Sequence, residues 1–161
     1  MSDFHLVTGA GVTTSLLGSP CADAFAGTTY TDVVKMTQYE TCYFLMLWGA
    51  IGGATTHTVT VEACDDLSAT TTSAIPFYYK RCSAVETNTA WTSSSSLTTT
   101  SLADQTYMIK VKASDLDISG TIYENVRLKV VEVGNNTVIG SVLIMMADPR
   151  YNEATLDAVT A

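Results

Sequence analysis

The sequence has few charged residues, and few of those are basic. Only 15% of its 161 residues are charged, and eight lysines and arginines stand against 16 aspartates and glutamates, so the formal net charge is −8. Globular domains normally carry about 25% charged residues. A chain this acidic lacks the basic patch through which proteins bind nucleic acid or anionic lipid, so we expect no nucleic-acid partner.

Long apolar runs are also missing. No run approaches the ~20 apolar residues that a membrane helix needs. Residues Met1 to His5 contain no basic stretch followed by an apolar one, which argues against a signal peptide. We therefore expect a soluble protein made in a cytoplasm, with no membrane partner.

Residues suited to catalysis or metal binding are sparse. His57 lies far from any Gly-x-Ser-x-Gly nucleophile motif, so we expect no catalytic residue and no enzyme. Asp65-Asp66 and Asp115-x-Asp117 are paired carboxylates, which suit acid–base chemistry or Ca²⁺. Both pairs lie in polar segments where aspartate favours turns, and turn use is the preferred interpretation. The sequence predicts no metal and no cofactor.

Four cysteines leave two chemical states open. An even number with wide spacing allows two disulfides in three connectivities, whereas a reducing cytoplasm favours buried thiols. No Cys-x-x-Cys pair indicates zinc. The cysteines are Cys21, Cys42, Cys64 and Cys82.

The apolar residues follow the two-residue period of β-strands. Residues 43–51 are apolar on both alternations, which predicts a strand that needs cover on both faces. Residues 137–146 show the same pattern, so either the two segments are central neighbours or one face docks on a partner. Residues 57–63 and 107–112 alternate cleanly between apolar and polar side chains, which predicts half-buried strands.

Turn residues divide the remaining chain. Gly134-Asn135-Asn136 predicts a hairpin that joins a strand at 122–133 to the strand at 137–146. A first strand is expected at 28–37, and Pro76 restricts the strand candidate at 75–81 to a strand start or a sheet edge. Residues 83–104 have little periodicity, which predicts a long loop with one short strand near Trp91.

Seven to eight strands without an amphipathic helix predict an all-β fold. The turn spacing is typical of an antiparallel β-sandwich, of which the jelly roll is one form. We divide the chain into an extended N-terminal arm (1–27), a sandwich domain (28–151) and a C-terminal tail (152–161). The arm is read either as a partly ordered terminus or as a segment lying across a neighbouring subunit.

Three features resemble a known class of proteins. The first is an acidic chain rich in Thr, Ser, Gly and Ala and without helices. The second is an early buried strand, Tyr43 to Ala50, followed by an alternating strand that ends in an acidic turn, Thr58 to Asp66. The third is a last strand that runs into Asp148-Pro149-Arg150-Tyr151. The pattern, over most of residues 30–151, is similar to head decoration (cement) proteins of tailed bacteriophages. The resemblance implies a sandwich or jelly roll, self-association (often as trimers) and binding to the major capsid protein at the capsid surface of the virion, after assembly in the host cytoplasm.

We therefore expect a non-enzymatic virion structural protein that decorates and stabilises a capsid as a homo-oligomer, with a trimer favoured. Another phage tail or connector protein and a carbohydrate-binding sandwich are the alternatives, the latter suggested by Tyr78, Tyr79, Trp91 and Tyr123. Apolar and aromatic residues anchor interfaces of this kind. The predicted interface residues are Leu6, Val12, Leu16, Leu17, Phe25, Trp48, Trp91, Met108, Met145 and Tyr151.

Overall fold

The computed structural model describes the backbone of residues 4–7 and the whole of residues 23–84 and 87–150. These ranges contain fifteen strands and one 3₁₀ turn, Ala113–Leu116. In chain order the strands are β1 (Phe4–Val7), β2 (Thr28–Tyr30), β3 (Val34–Lys35), β4 (Tyr39–Ile51), β5 (His57–Cys64), β6 (Thr72–Ile75), β7 (Phe77–Ala84), β8 (Thr87–Asn88), β9 (Thr92–Ser94), β10 (Leu97–Thr98), β11 (Gln105–Lys112), β12 (Asp117–Ile118), β13 (Thr121–Ile122), β14 (Asn125–Glu132) and β15 (Val138–Pro149).

The strands form two antiparallel sheets, which we call sheet I and sheet II. Sheet I has the order β1-β15-β4-β11-β7-β8, and β9 also pairs with β7. Sheet II has the order β10-β5-β14-β2, with β3 on β14 and β6 on β5. A separate two-stranded ribbon joins β12 to β13. The predicted all-β sandwich is confirmed.

The core lies between the two sheets and is built by strand alternation. Phe44 and Met46 of β4 point inward beside Ile144 of β15, and Val61 and Leu128 oppose them from sheet II. All five side chains are fully buried. The register pairs Phe44 with Ile144, so the expectation that the two doubly apolar segments are central neighbours is confirmed.

The predicted hairpin at residues 134–136 is wrong, because β14 and β15 belong to different sheets. The connection crosses from sheet II to sheet I and packs on another crossing, which joins β4 to β5. Thr55 Oγ1 donates to the Gly134 carbonyl at 2.8 Å, and Asn136 Nδ2 donates to the Ala54 carbonyl at 2.9 Å. Gly134 and Asn136 therefore bond across a sheet-to-sheet crossing, where the sequence pattern predicts a tight turn.

Residues 23–27, the last residues of the predicted arm, contact the sandwich. Ala24 and Phe25 are buried in the core, and the Ala24 amide donates to the Val138 carbonyl at 2.7 Å. Further upstream, β1 pairs with β15 at the edge of sheet I. Where the structure describes it, the predicted arm is thus part of the sandwich itself.

Residues 83–104 hold more structure than the predicted loop. They contain three short strands, and β9 adds to the edge of sheet I beside β7. The Thr99 amide donates to the His57 carbonyl, and the Thr99 hydroxyl accepts from the His57 amide, both at 2.9 Å. Threonine hydroxyls bond neighbouring backbone here, which allows strand pairing without a hydrophobic period. The expected first strand, 28–37, is likewise divided into β2 and β3.

Candidate interaction surface

The outer face of sheet I is apolar across its central strands. On β4, the side chains that point away from the core are Tyr43, Leu45 and Leu47. The register places Leu45 between Leu143 of β15 and Met108 of β11, so three apolar side chains form a row across the sheet. Each is only partly buried, and Leu47 is 38% exposed.

A second row lies one step along the strands. Tyr43 stands between Met145 of β15 and Lys110 of β11, and Lys110 stands opposite Tyr78 of β7. The apolar surface therefore continues toward β15 and becomes cationic and aromatic toward β7. Monomeric proteins seldom leave large contiguous apolar patches in water, and such patches commonly mark interaction sites.

An open pocket of about 230 Å³ lies on the β7 side of this face, lined by Tyr78, Trp91, Lys110 and Lys112. Tyr78 and Trp91 are each more than 40% exposed. The Lys80 ammonium lies 5.1 Å from the centre of the Trp91 ring, and the Lys110 ammonium lies 5.7 Å from the centre of the Tyr43 ring. Cations over aromatic faces are favourable, but they leave the positive charge without a counter-ion.

The ion pairs between described residues lie away from this patch. Four of the eight basic residues are paired with carboxylates, and these are Lys35, Arg127, Lys129 and Arg150. Among the described residues, the other four have no carboxylate within ion-pair distance, and all four lie on the neighbouring strands β7 and β11: Lys80, Arg81, Lys110 and Lys112. Among the described residues of a chain with twice as many acids as bases, the basic side chains without an ion pair are therefore concentrated on two neighbouring strands.

The outer face of sheet II is organised differently. Glu62 of β5 accepts from Arg127 of β14 at 2.7 Å and from Lys129 at 3.3 Å. The Arg127 guanidinium also lies 4.1 Å from the centre of the Tyr30 ring. Cation, carboxylate and aromatic ring therefore satisfy one another within the chain on this face.

The predicted interface residues fall into three groups. Phe25 and Trp48 are core residues, because their rings stack at 4.7 Å between the sheets and neither is open to a partner. Met108 and Met145 lie on the outer face of sheet I, and Trp91 lines its pocket. The remaining predictions fall on residues whose side chains lie outside the described part of the chain, namely Leu6, Val12, Leu16, Leu17 and Tyr151.

Sequence reasoning missed several residues of this face, including Leu45, Leu143, Lys80, Lys110 and Lys112. A signal for them was present. In a strand that is apolar on both alternations, one parity lines the core and the other must line a second surface. Within residues 107–112, Lys110 and Lys112 occupy the outward positions, which indicates that the positive charge lies on the β11 side of that surface.

His57 and the aspartate pairs have local structural roles. The His57 ring is buried and packs edge-on against Trp48, 4.8 Å away between centroids, and burial lowers its pKa. Asp65 Oδ1 accepts from the amides of Asp66 and Thr71, at 2.9 and 2.8 Å. Asp115 Oδ2 accepts from the Lys112 amide at 3.1 Å. In the described ranges, no three His, Cys, Asp or Glu side chains gather to hold a metal ion.

Three cysteines lie in the described residues, and all are free thiols: Cys42, Cys64 and Cys82. Cys42 and Cys64 are buried. Burial raises the pKa of Cys64 to about 11 and raises that of Cys42 further, so both remain protonated at neutral pH. Cys21 lies outside the described residues.

The four aromatic residues of the carbohydrate interpretation are only partly brought together. Tyr78 and Trp91 share the pocket on sheet I. Tyr79 lines another depression beside Tyr107, and Tyr123 lines a third near Leu116. The structure therefore assembles one aromatic pair rather than a continuous platform.

Comparisons with known proteins identify no relative: the chain matches no protein-family model, no curated protein and no solved structure. Across the described residues, no helix is long and apolar enough to cross a membrane.

Proposed function

We propose that this chain is a structural component of a bacteriophage particle that decorates and stabilises the capsid by associating with copies of itself and with the major capsid protein. The observation that carries the proposal is the outer face of sheet I, where the row Leu143, Leu45 and Met108 is left partly open to water. Such a face suits a protein whose fold is completed by its neighbours.

The energetics favour association through this face. Fully burying one Leu or Met side chain contributes about 1.5–3 kcal/mol, and the two rows supply several such side chains on a rigid sheet. Methionines at positions 108 and 145 add adaptable contacts. Because strands β4, β11 and β15 are already fixed by the core on their inner side, little conformational entropy is lost when a partner covers the outer side.

The assignment to a capsid draws on the sequence resemblance described above. Its segment from Tyr43 to Ala50 lies in β4, its segment from Thr58 to Asp66 begins in β5, and Asp148 and Pro149 are the last residues of β15. Two of the three segments therefore belong to sheet I, whose outer face is the proposed contact. The direct check is mass spectrometry of purified particles of the source phage, where the chain should occur in a fixed ratio to the major capsid protein.

Self-association is tested by placing a charge at the centre of the apolar face. Leu45→Glu should convert the oligomer to monomer in size-exclusion chromatography with light scattering, because the carboxylate must lose its water inside the contact. Thr60→Glu is the matched control, since Thr60 lies on the outer face of sheet II opposite Lys129. A wild-type protein that is monomeric at high concentration, or an oligomer indifferent to Leu45→Glu, would refute the proposal.

A further inference from the structure

The four basic residues that form no ion pair with another described residue point to the chemistry of what covers sheet I. Three of them, Lys80, Lys110 and Lys112, lie on the outer face, beside the apolar rows. We propose that the occupant of this face is a second copy of the chain, related by a two-fold axis that runs along β4. This inference rests on the proposed self-association and specifies its geometry.

The register determines what such an axis brings together. Sheets that pack face to face lie about 10 Å apart with strands aligned to within about 30°. A two-fold axis along β4 places β11 of one copy over β15 of the other, because these strands flank β4 on opposite sides. Leu45 then meets the partner's Leu45, and Met108 meets the partner's Leu143, so the apolar row covers itself.

The same operation brings opposite charges together. Lys112 shares its row with Thr41 and Ala147, so it lies over the end of the partner's β15. Asp148 is exposed at that end, and its Oδ2 accepts a hydrogen bond from Thr41 Oγ1 at 3.1 Å. Lys112 of each copy therefore faces Asp148 of the other, which gives two identical ion pairs at the rim of one apolar contact.

The other simple arrangement is a two-fold axis perpendicular to the strands, through the row that contains Met108. It stacks β7 on β7 and sets Lys80 against the partner's Lys80, because both lie in that row. Opposed like charges penalise an interface. It would also bring Lys112 toward the partner's Asp104, at the far end of β11, so Asp104 distinguishes the two arrangements. Both axes give dimers, in place of the trimers that the sequence resemblance implies.

Charge reversal tests the pairing, with dimer dissociation constants from analytical ultracentrifugation of the full-length protein. Lys112→Glu and Asp148→Lys should each weaken the dimer about tenfold or more. A 1:1 mixture of the two variants should restore it, because the mixed dimer regains an opposite-charge pair at both positions. The wild-type dimer should also weaken with added salt, since rim charges are screened.

Two further variants control for folding. Asp148 has a φ of +56°, so Asp148→Asn keeps a residue that tolerates this conformation while removing the charge, and it should weaken the dimer as well. Asp104→Lys is the matched control, because Asp104 is also exposed and has a φ of +55°. It should leave the dissociation constant unchanged.

The outcomes separate the inference from the proposed function. If Leu45→Glu raises the dimer dissociation constant but Lys112→Glu leaves it unchanged, the proposed ion-pair geometry is wrong and the proposed self-association stands. Dimers rescued by mixing Lys112→Glu with Asp104→Lys establish the perpendicular axis and also overturn it. If the wild-type protein is monomeric, so that neither Leu45→Glu nor Lys112→Glu has a dimer to weaken, the proposed self-association itself is wrong.

Discussion

The two outer faces of the sandwich arise from the same strand alternation and yet carry opposite kinds of side chain. On sheet II, the Glu62 carboxylate holds Arg127 and Lys129, and Tyr30 covers the guanidinium. On sheet I, the corresponding central positions are apolar, and its lysines lack carboxylate partners among the described residues.

This difference shows which surface the single chain completes by itself. Polar groups that satisfy one another gain nothing from a partner, because any partner must first compete with existing bonds. Partly exposed leucines and unpaired ammonium groups gain from both burial and charge neutralisation. The stability of the monomer should therefore depend on the outer face of sheet II, whereas association should depend on that of sheet I.

Among changes on the outer faces, the largest effect on folding is expected from Glu62→Ala. Glu62 is only 9% exposed at its side chain and is shared by two cations, so its removal leaves Arg127 partly buried without a counter-ion. We expect a loss of about 2–4 kcal/mol in the free energy of unfolding, measured by urea denaturation. Glu124→Ala breaks the exposed pair with Lys35 and should cost less than about 1 kcal/mol. Equal losses in the two variants would show that the largely buried ion pairs of Glu62 stabilise the fold no more than an exposed ion pair of the same sheet.

A smaller effect, common to both faces, is expected from pH. Desolvation lowers the pKa of His57 below its ordinary value of about 6.5, although Glu132 and Asp23 oppose the shift. As pH falls below about 6.5, the unfolded chain binds a proton that the folded chain binds only at lower pH, so the free energy of unfolding should decrease. At pH 8 both states are neutral and the contribution vanishes.

The check is urea denaturation between pH 8 and pH 5, for wild type and His57→Leu. When the free energy of unfolding is plotted against pH, His57→Leu should lose the part of the slope near pH 6 that comes from titration of this ring. Because His57 lies in the layer shared by both sheets, Thr60→Glu and Leu45→Glu should keep that part of the slope. An unchanged slope in His57→Leu would show that another group titrates.

Strand periodicity predicted the sheets better than the turns predicted their connections. The double alternation of residues 43–51 and 137–146 indicated their central, adjacent positions, because burial on the inner side leaves the other parity for a second surface. The prediction of a hairpin at 134–136 is wrong, because Gly and Asn are as compatible with the observed sheet-to-sheet crossing as with a hairpin. Local backbone freedom does not encode which sheet a strand joins.

The candidate surface was predictable only in part. Met108, Met145 and Trp91 were expected at an interface, and the structure places all three on the outer face of sheet I or its pocket. Phe25 and Trp48 were expected there as well, but large aromatic rings fill cores as readily as interfaces. The cluster of unpaired lysines depends on the pairing of β7 with β11, which no local pattern specifies.

The smallest expected effect tests the comparison most directly. Leu45→Thr replaces an outward leucine on sheet I with a residue that favours strands, so dilute protein should lose less than about 1 kcal/mol in its free energy of unfolding. The same change at Leu128, which is fully buried on the inner side of β14, should cost about 2–5 kcal/mol. Ultracentrifugation of Leu45→Thr should nevertheless show weaker association. Large destabilisation of dilute Leu45→Thr would mean that the single chain already buries this side chain, and the face would then have no need of a partner.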